Sequence, residues 1–205
     1  MVCEPNLTAP AGLMIAGFCP DDAATIVLIA PEGAAFWRRF TRSAEYADGR
    51  PHPMDRWSRR IIGAWAGRLD AQAIFPSDGP PYPQFFAWAL ASGRCWSSPV
   101  GMLVHDEAGL LISFRGALRV PGGLLPLPAA ATSPCEACPQ PCRDACPAGA
   151  FDNGYITARC HDFLDQPQGR DCMTGGCRVR RACPISLGCG RLRQQSEWHM
   201  RQFHP

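Results

Sequence analysis

The sequence predicts an α/β (α+β) sandwich followed by a small cysteine-rich domain. Three observations point there. Short β-rich apolar runs alternate with amphipathic helical patterns through the first 120 residues. A stretch rich in proline, glycine and alanine follows, "VPGGLLPLPAAATSP" from Val120 to Pro134. Beyond it Cys135, Cys138, Cys142, Cys146, Cys160, Cys172, Cys177, Cys183 and Cys189 crowd together, whereas Cys3, Cys19 and Cys95 are scattered. The expected division is therefore an α/β domain over 1–120, a linker over 121–134 and a cysteine domain over 135–205.

Each element has a local reason. "TIVLIAP" (Thr25 to Pro31) is a short apolar run ended by proline and predicts a buried strand. "EGAAFWRRFTRSAEY" predicts one helix with Glu32 in its first turn, where a negative charge suits exposed amides, and with Phe36, Phe40 and Ala44 on one face. "GRPHP" breaks it. "MDRWSRRIIGAWAGRL" predicts the next helix, with Asp55 as its cap and Trp57, Ile61, Ala64, Trp65 and Leu69 as its apolar stripe. "AQAIFP" predicts a strand, and "YPQFFAWALASG" a short helix closed by Gly93. "VGMLVHDEAGLLISFRGALRV" (Val100 to Val120) predicts a hairpin, two β-rich runs around the turn-forming "DEAG". No GxGxxG follows the first strand, which argues against a dinucleotide-binding unit.

Composition narrows the functional classes. Of 205 residues, 46% are hydrophobic and 19% charged, as in globular chains rather than disordered ones. A net charge of +2 does not by itself call for nucleic acid. No apolar run reaches the length of a membrane span, and "MVCEPNLTAP" lacks a basic signal-peptide start. The expectation is a cytoplasmic protein with no membrane span, in a compartment where disulfides are rare.

In the first 120 residues, His52 with Pro53 is read as a helix entry. His105, Asp106 and Arg115 flank the expected hairpin and serve either as turn residues or as chemistry. Trp57, Trp65, Phe85, Phe86, Trp88 and Trp96 form a core or wall a cofactor cavity.

The cysteine segment carries the stronger signal. Loops of the bacterial ferredoxin type hold [4Fe–4S] clusters with Cys-x2-Cys-x2-Cys-x3-Cys-Pro, the fourth thiolate crossing to the other cluster. Here the spacing is Cys135-x2-Cys138-x3-Cys142-x3-Cys146-Pro147, with one residue inserted. Cys183-Pro184 repeats the Cys-Pro ending. Pseudo-twofold pairing then gives one cluster Cys135, Cys138, Cys142 and the crossing Cys183. The other takes the crossing Cys146 with Cys160, Cys172 and Cys177. Cys189 is left over, or replaces Cys177 or Cys183. Arg178, Arg180 and Arg181 beside these thiols offset cluster charge, dock an acidic donor or form a solvated turn. The competing expectation is structural zinc, with His161, His199 and His204 as nitrogen ligands. Against it stand the tight bunching of the first four cysteines, the two Cys-Pro ends and the lack of a regular finger spacing.

With these motifs in view, the cysteine half resembles the dicluster ferredoxin domain of the epoxyqueuosine reductases. "CEACPQPCRDACPAGAF", "YITARCHDFL" and "GGCRVRRACPIS" follow one another as the elements of that family do. The last element of the family is Cys-x2-Cys-x3-Cys-Pro, whereas here it is Cys172-x4-Cys177-x5-Cys183. The segment "SPVGMLVHDEAGLLISFRGALRVPG" resembles one shared with the cobalamin-processing proteins. His105, Gly109, Arg115 and Gly116 match, and Asp106 stands where proline is usual. The resemblance implies a flavin-reductase-like sandwich able to enclose a corrinoid, with His105, Arg115 and Gly116 as cofactor-binding residues. The whole arrangement resembles a bacterial group of small ferredoxin-like proteins. The family's tRNA-facing C-terminal repeats have no counterpart before Pro205, so tRNA is not the expected substrate.

Three functions follow as expectations. The first is an electron-transfer protein with two [4Fe–4S] clusters, serving a redox partner or a cofactor in its N-terminal half. The second is a corrinoid-dependent reductase fed by those clusters. The third is a zinc-stabilised interaction module.

Overall fold

A computed structural model describes residues 7–122 and 131–205. Cys3 and most of the expected linker lie outside the described residues. The chain forms two compact units. One comprises 1–95 and 113–131, the other 96–112 and 132–205. The segment 96–112, expected in the N-terminal domain, is thus counted with the cysteine residues.

The first unit is a mixed α+β structure. Strands β1 (Leu13–Asp21) and β2 (Ala24–Pro31) pair antiparallel and are followed by α1 (Gly33–Phe40), α2 (Ala44–Ala47) and α3 (Pro53–Arg68). Next come β3 (Gln72–Ile74) and α4 (Phe85–Ala91). Strand β4 (Cys95–Ser97) begins at the division and pairs with β5 (Leu103–His105) of the second unit's segment. The chain then returns as β6 (Gly116–Pro121), giving a sheet of order β1-β2-β6-β3. Its paired neighbours are all antiparallel. Strand β2 lies between two neighbours and is buried along nearly its whole length, which explains its unbroken apolar run.

Strand β1 was not foreseen. Gly17 and Pro20 interrupt its β pattern, and the register shifts between Ile15 and Gly17. A Cβ on Gly17 would stand 2.7 Å from the Cβ of Ser92, so the close approach of the chain after α4 requires glycine there.

The helix expected over "EGAAFWRRFTRSAEY" is two helices. Ser43 separates them: its hydroxyl donates to Phe40 O at 2.7 Å and accepts from Tyr46 N at 3.3 Å, capping α2. The break leaves Ala44 exposed and buries Glu45 instead. Glu45 is held by Arg60, with 2.9 Å between Nη2 and Oε2. The guanidinium lowers its pKa to about 2. On α3 the apolar face is rotated from the expected stripe. Met54, Trp57, Ser58, Ile62, Trp65 and Ala66 are buried, while Ala64 is exposed. His52, in the left-handed region at φ 52°, stands at the N-cap in place of Asp55, which lies in the first turn.

The expected hairpin does not form. His105 and Gly109 exchange both backbone hydrogen bonds, at 3.1 and 2.9 Å, so "DEAG" does make the tight turn. The ladder stops there because Leu110 is engaged elsewhere. Its N–H donates to Ser186 Oγ at 3.0 Å and its carbonyl accepts from Arg180 Nη1 at 2.7 Å. Strand β6 starts only at Gly116 and pairs with β2 and β3.

The second unit continues through turns into α5 (Thr157–Leu164), a 3-10 turn at Pro167–Gly169, α6 (Arg170–Gly175), α7 (Arg178–Ala182), α8 (Pro184–Gly188) and α9 (Arg193–Phe203). It has two small apolar cores. Val100, Val104, Leu110, Cys142, Val179 and Cys183 make one, and Leu164, Cys172 and Met200 make the other. No helix among the described residues is long and apolar enough to cross a membrane.

Candidate metal centre

The backbone that presents the thiols is short-range and proline-punctuated. Residues 132–156 run through turns without a helix or strand of regular length. Cys177 is the N-cap of α7. Cys183 closes α7 and opens α8, held extended at φ −65° and ψ 122° because Pro184 excludes the helical region for its predecessor. Its thiol therefore leaves the helix at a bend, beside Val179 and Cys142 in the first apolar core.

The described cysteines are all free thiols. Two sets are close enough to act on one another electrostatically. Cys135 and Cys142 are raised chiefly by burial, and further by the charge of Cys138 and Cys183. Cys160 is raised first by burial, then by Cys177, Cys146 and Cys172. Cys172 is raised by burial and by Cys177. Each set contains one cysteine from a Cys-Pro pair in the other stretch of chain. Cys189 is the C-cap of α8.

Hydrogen-bond donors face several of these sulfurs. Gln140 N–H donates to Cys138 Sγ at 3.3 Å, and Ala150 N–H to Cys146 Sγ at 3.4 Å. The backbone of Arg178, the hydroxyl of Ser133 and the phenol of Tyr155 counter the upward push of burial on the thiols of Cys172, Cys135 and Cys160. At Cys135, Cys160 and Cys172 this favours the thiolate, the form a metal takes. Ser133 and Tyr155 carry no cysteine-like signal in sequence, and only their contacts single them out.

The arginines are engaged within the unit. Asp171 accepts from Arg178 at 2.7 Å and from Arg181 at 2.5 Å, which lowers its pKa, while Arg180 holds Leu110 O. Of the nitrogen donors weighed for zinc, His161 and His204 meet through their Nδ1 atoms at 2.7 Å, and His204 Nε2 lies 3.0 Å from Asp165. Among the described residues, no group of three or more His, Cys, Asp or Glu side chains is arranged to hold a metal ion.

The residues expected to bind a corrinoid divide between the units and have local occupations. His105, in the second, is fully buried, and its Nδ1 accepts from the amides of Glu107 and Ala108 at 3.0 and 3.2 Å. Arg115 and Gly116 belong to the first. A Cβ on Gly116 would meet Ile62 Cδ1 at 3.0 Å, so packing accounts for that glycine. Arg115 lies 3.8 Å from Asp55, with its Nε buried and unpaired, and burial lowers its pKa. Of the aromatic group, Trp57, Trp65 and Phe85 are core residues and Phe86 is exposed. Trp88 is half-buried, and Trp96 belongs to the second unit.

No protein family, curated protein or solved structure matches this chain.

Proposed function

We propose that the protein carries electrons on two [4Fe–4S] clusters bound by its second unit. The observation behind this reading is the composition of the two thiol sets: Cys135, Cys138, Cys142 with Cys183, and Cys160, Cys172, Cys177 with Cys146. Four thiolates per set, one of them exchanged from a Cys-Pro pair in the other stretch, is what two ferredoxin-type clusters require. The donor chemistry fits as well. A zinc ion draws its thiolates to about 2.3 Å from a single point. Each thiolate of a cubane takes a different iron, so its four donors surround a larger core at looser mutual spacing.

Bound at these positions, the clusters would supply reversible one-electron transfer. The chain's own residues do the rest. Amides and hydroxyls at the sulfurs stabilise negative charge. Val100, Val104, Leu110 and Val179 exclude water from one side of the first set. Asp171 pairs with both Arg178 and Arg181 and offsets one of their two positive charges, which leaves less free positive charge beside the second set than the run "CRVRR" suggests.

A donor or acceptor protein is the partner this reading implies. The local roles of His105 and Gly116 give no support to a corrinoid over such a carrier. The reading is tested by purifying the protein without oxygen and recording low-temperature electron paramagnetic resonance before and after reduction by dithionite. Reduction should produce signals of two magnetically interacting [4Fe–4S]⁺ centres. A protein silent in both states, with no visible absorption to bleach, would overturn the reading. Added hydroxocobalamin should leave the spectra unaltered.

A further inference from the structure

Arg56, Arg59, Arg60 and Arg119 of the first unit donate to the carboxylates of Asp48, Asp78, Glu45 and Asp21, all at 2.9 Å or less. Their side chains are 27% to 54% exposed, so water could have served them. Arg115 is more buried than any of these, at 17%, and it is the one left unserved. Its Nε is buried and meets no acceptor among the described residues. The carboxylate beside it, Asp55, stands 3.8 Å from Nη1, too far for a hydrogen bond, and is itself half exposed. A buried charge is normally the one that is paired, so the order here is inverted.

The residue cannot be dismissed as a loosely placed side chain on a loop. Its own amide donates to Ile29 O in the buried strand β2 at 2.8 Å, and the next residue opens β6, an interior strand of the sheet. Two residues earlier the Ser113 hydroxyl is likewise buried without a partner. Two such groups within three residues of chain mark a place where the fold supplies donors and lacks acceptors. The neighbours are apolar. Phe114 stacks on Phe85 at 5.8 Å, and a Cβ on Gly116 would meet Ile62 at 3.0 Å and Phe75 at 3.3 Å.

We infer that the Arg115 guanidinium binds the carboxylate of a small, singly charged organic ligand. The guanidinium fork matches the two oxygens of a carboxylate and would gain the acceptors it lacks. Charge selects the class further. Asp55 already sets one negative charge against the one positive charge, so a phosphate dianion would be repelled more strongly than a monocarboxylate. Apolar neighbours favour a ligand with a hydrocarbon body. No thiol takes part, so the inference does not depend on the iron–sulfur reading.

The experiment uses the full chain, labelled with nitrogen-15, and follows the Nε–H signals of its arginines, assigned through the backbone. Sodium benzoate is the probe. Sodium phosphate, sodium chloride at equal ionic strength and benzyl alcohol are run beside it. Benzoate should shift the Arg115 signal saturably at millimolar concentration, and chloride and benzyl alcohol should not. No shift with any anion would overturn the inference, leaving a guanidinium that only water reaches. A shift with phosphate but not benzoate would overturn the carboxylate assignment. Asp55→Asn removes the competing charge and should lower the benzoate concentration at half saturation several-fold; a higher one would contradict the placement beside Asp55. Benzoate should also raise the melting temperature of the unaltered chain and leave that of Arg115→Met unmoved. Equal stabilisation of both would place the binding elsewhere and overturn the inference. Should Arg115→Met fail to fold, the side-chain spectrum of the unaltered chain decides alone.

Discussion

Cys146 ends one stretch of thiols yet acts on Cys160 of the next. Replacing it by serine should cost the second cluster and lower the iron content by about four atoms per chain. Iron analysis of Cys146→Ser checks this, and Cys189→Ser should leave the content intact. Glu45 gives a prediction of a different kind. Its pKa is depressed to about 2 by Arg60. Its contribution to stability is therefore complete above the unfolded value of about 4.3 and is lost as pH falls toward about 2. Because Arg60 is half exposed, the pair contributes about 1 kcal/mol. Glu45→Gln should lower the melting temperature at pH 7, and the difference should shrink on acidification through that window. At this scale the sequence was uneven as a guide. Proline accounts for the extended backbone of Cys183, since it forces its predecessor out of the helix. Nothing in the sequence distinguished Glu45 from a surface acid, since its burial depends on where a helix breaks.

Elements were legible where a single periodicity governs them and illegible where a tertiary contact cuts them short. Strand β2 and helix α3 follow directly from their apolar patterns. Even so, the stripe on α3 is displaced by a residue at Ile62, because neighbouring apolar side chains at 61 and 62 compete for the core. The missing hairpin is the clearer case. Its turn forms, but Ser186 and Arg180 take the amide and the carbonyl of Leu110 that the ladder would have used. Gly109 marks that competition. It has φ +57°, and a Cβ there would lie 2.5 Å from Ser186 N. Gly109→Ala should therefore loosen the segment 96–112 from α8 and destabilise the second unit by roughly 1–3 kcal/mol. Faster amide exchange over 100–110 in that variant would report it, with residues of β2 unchanged. Ser43→Ala should likewise fray α2, at about 1 kcal/mol.

Across the whole chain, the sequence separates a cysteine-poor from a cysteine-rich part, and the two compact units differ from that division over 96–112. Composition changes at residue 120, whereas the fold lends 96–112 to the cysteine unit, and composition carries no information about such an excursion. The mixed α+β character of the first unit agrees with its patterning. The excursion gives the second unit more apolar cover than its own short helices supply, with Val100, Val104 and Leu110 packed beside Cys142 and Cys183. On the proposed reading, a chain with so little regular structure around its thiols would gain from an inorganic core that ties distant stretches together. Removing that core with a chelator under reducing conditions should unfold the second unit at a lower denaturant concentration than the first. The central claim is met most directly by counting iron and acid-labile sulfide in protein purified without oxygen. The account predicts about eight of each per chain. Stoichiometric zinc with neither iron nor sulfide would contradict it.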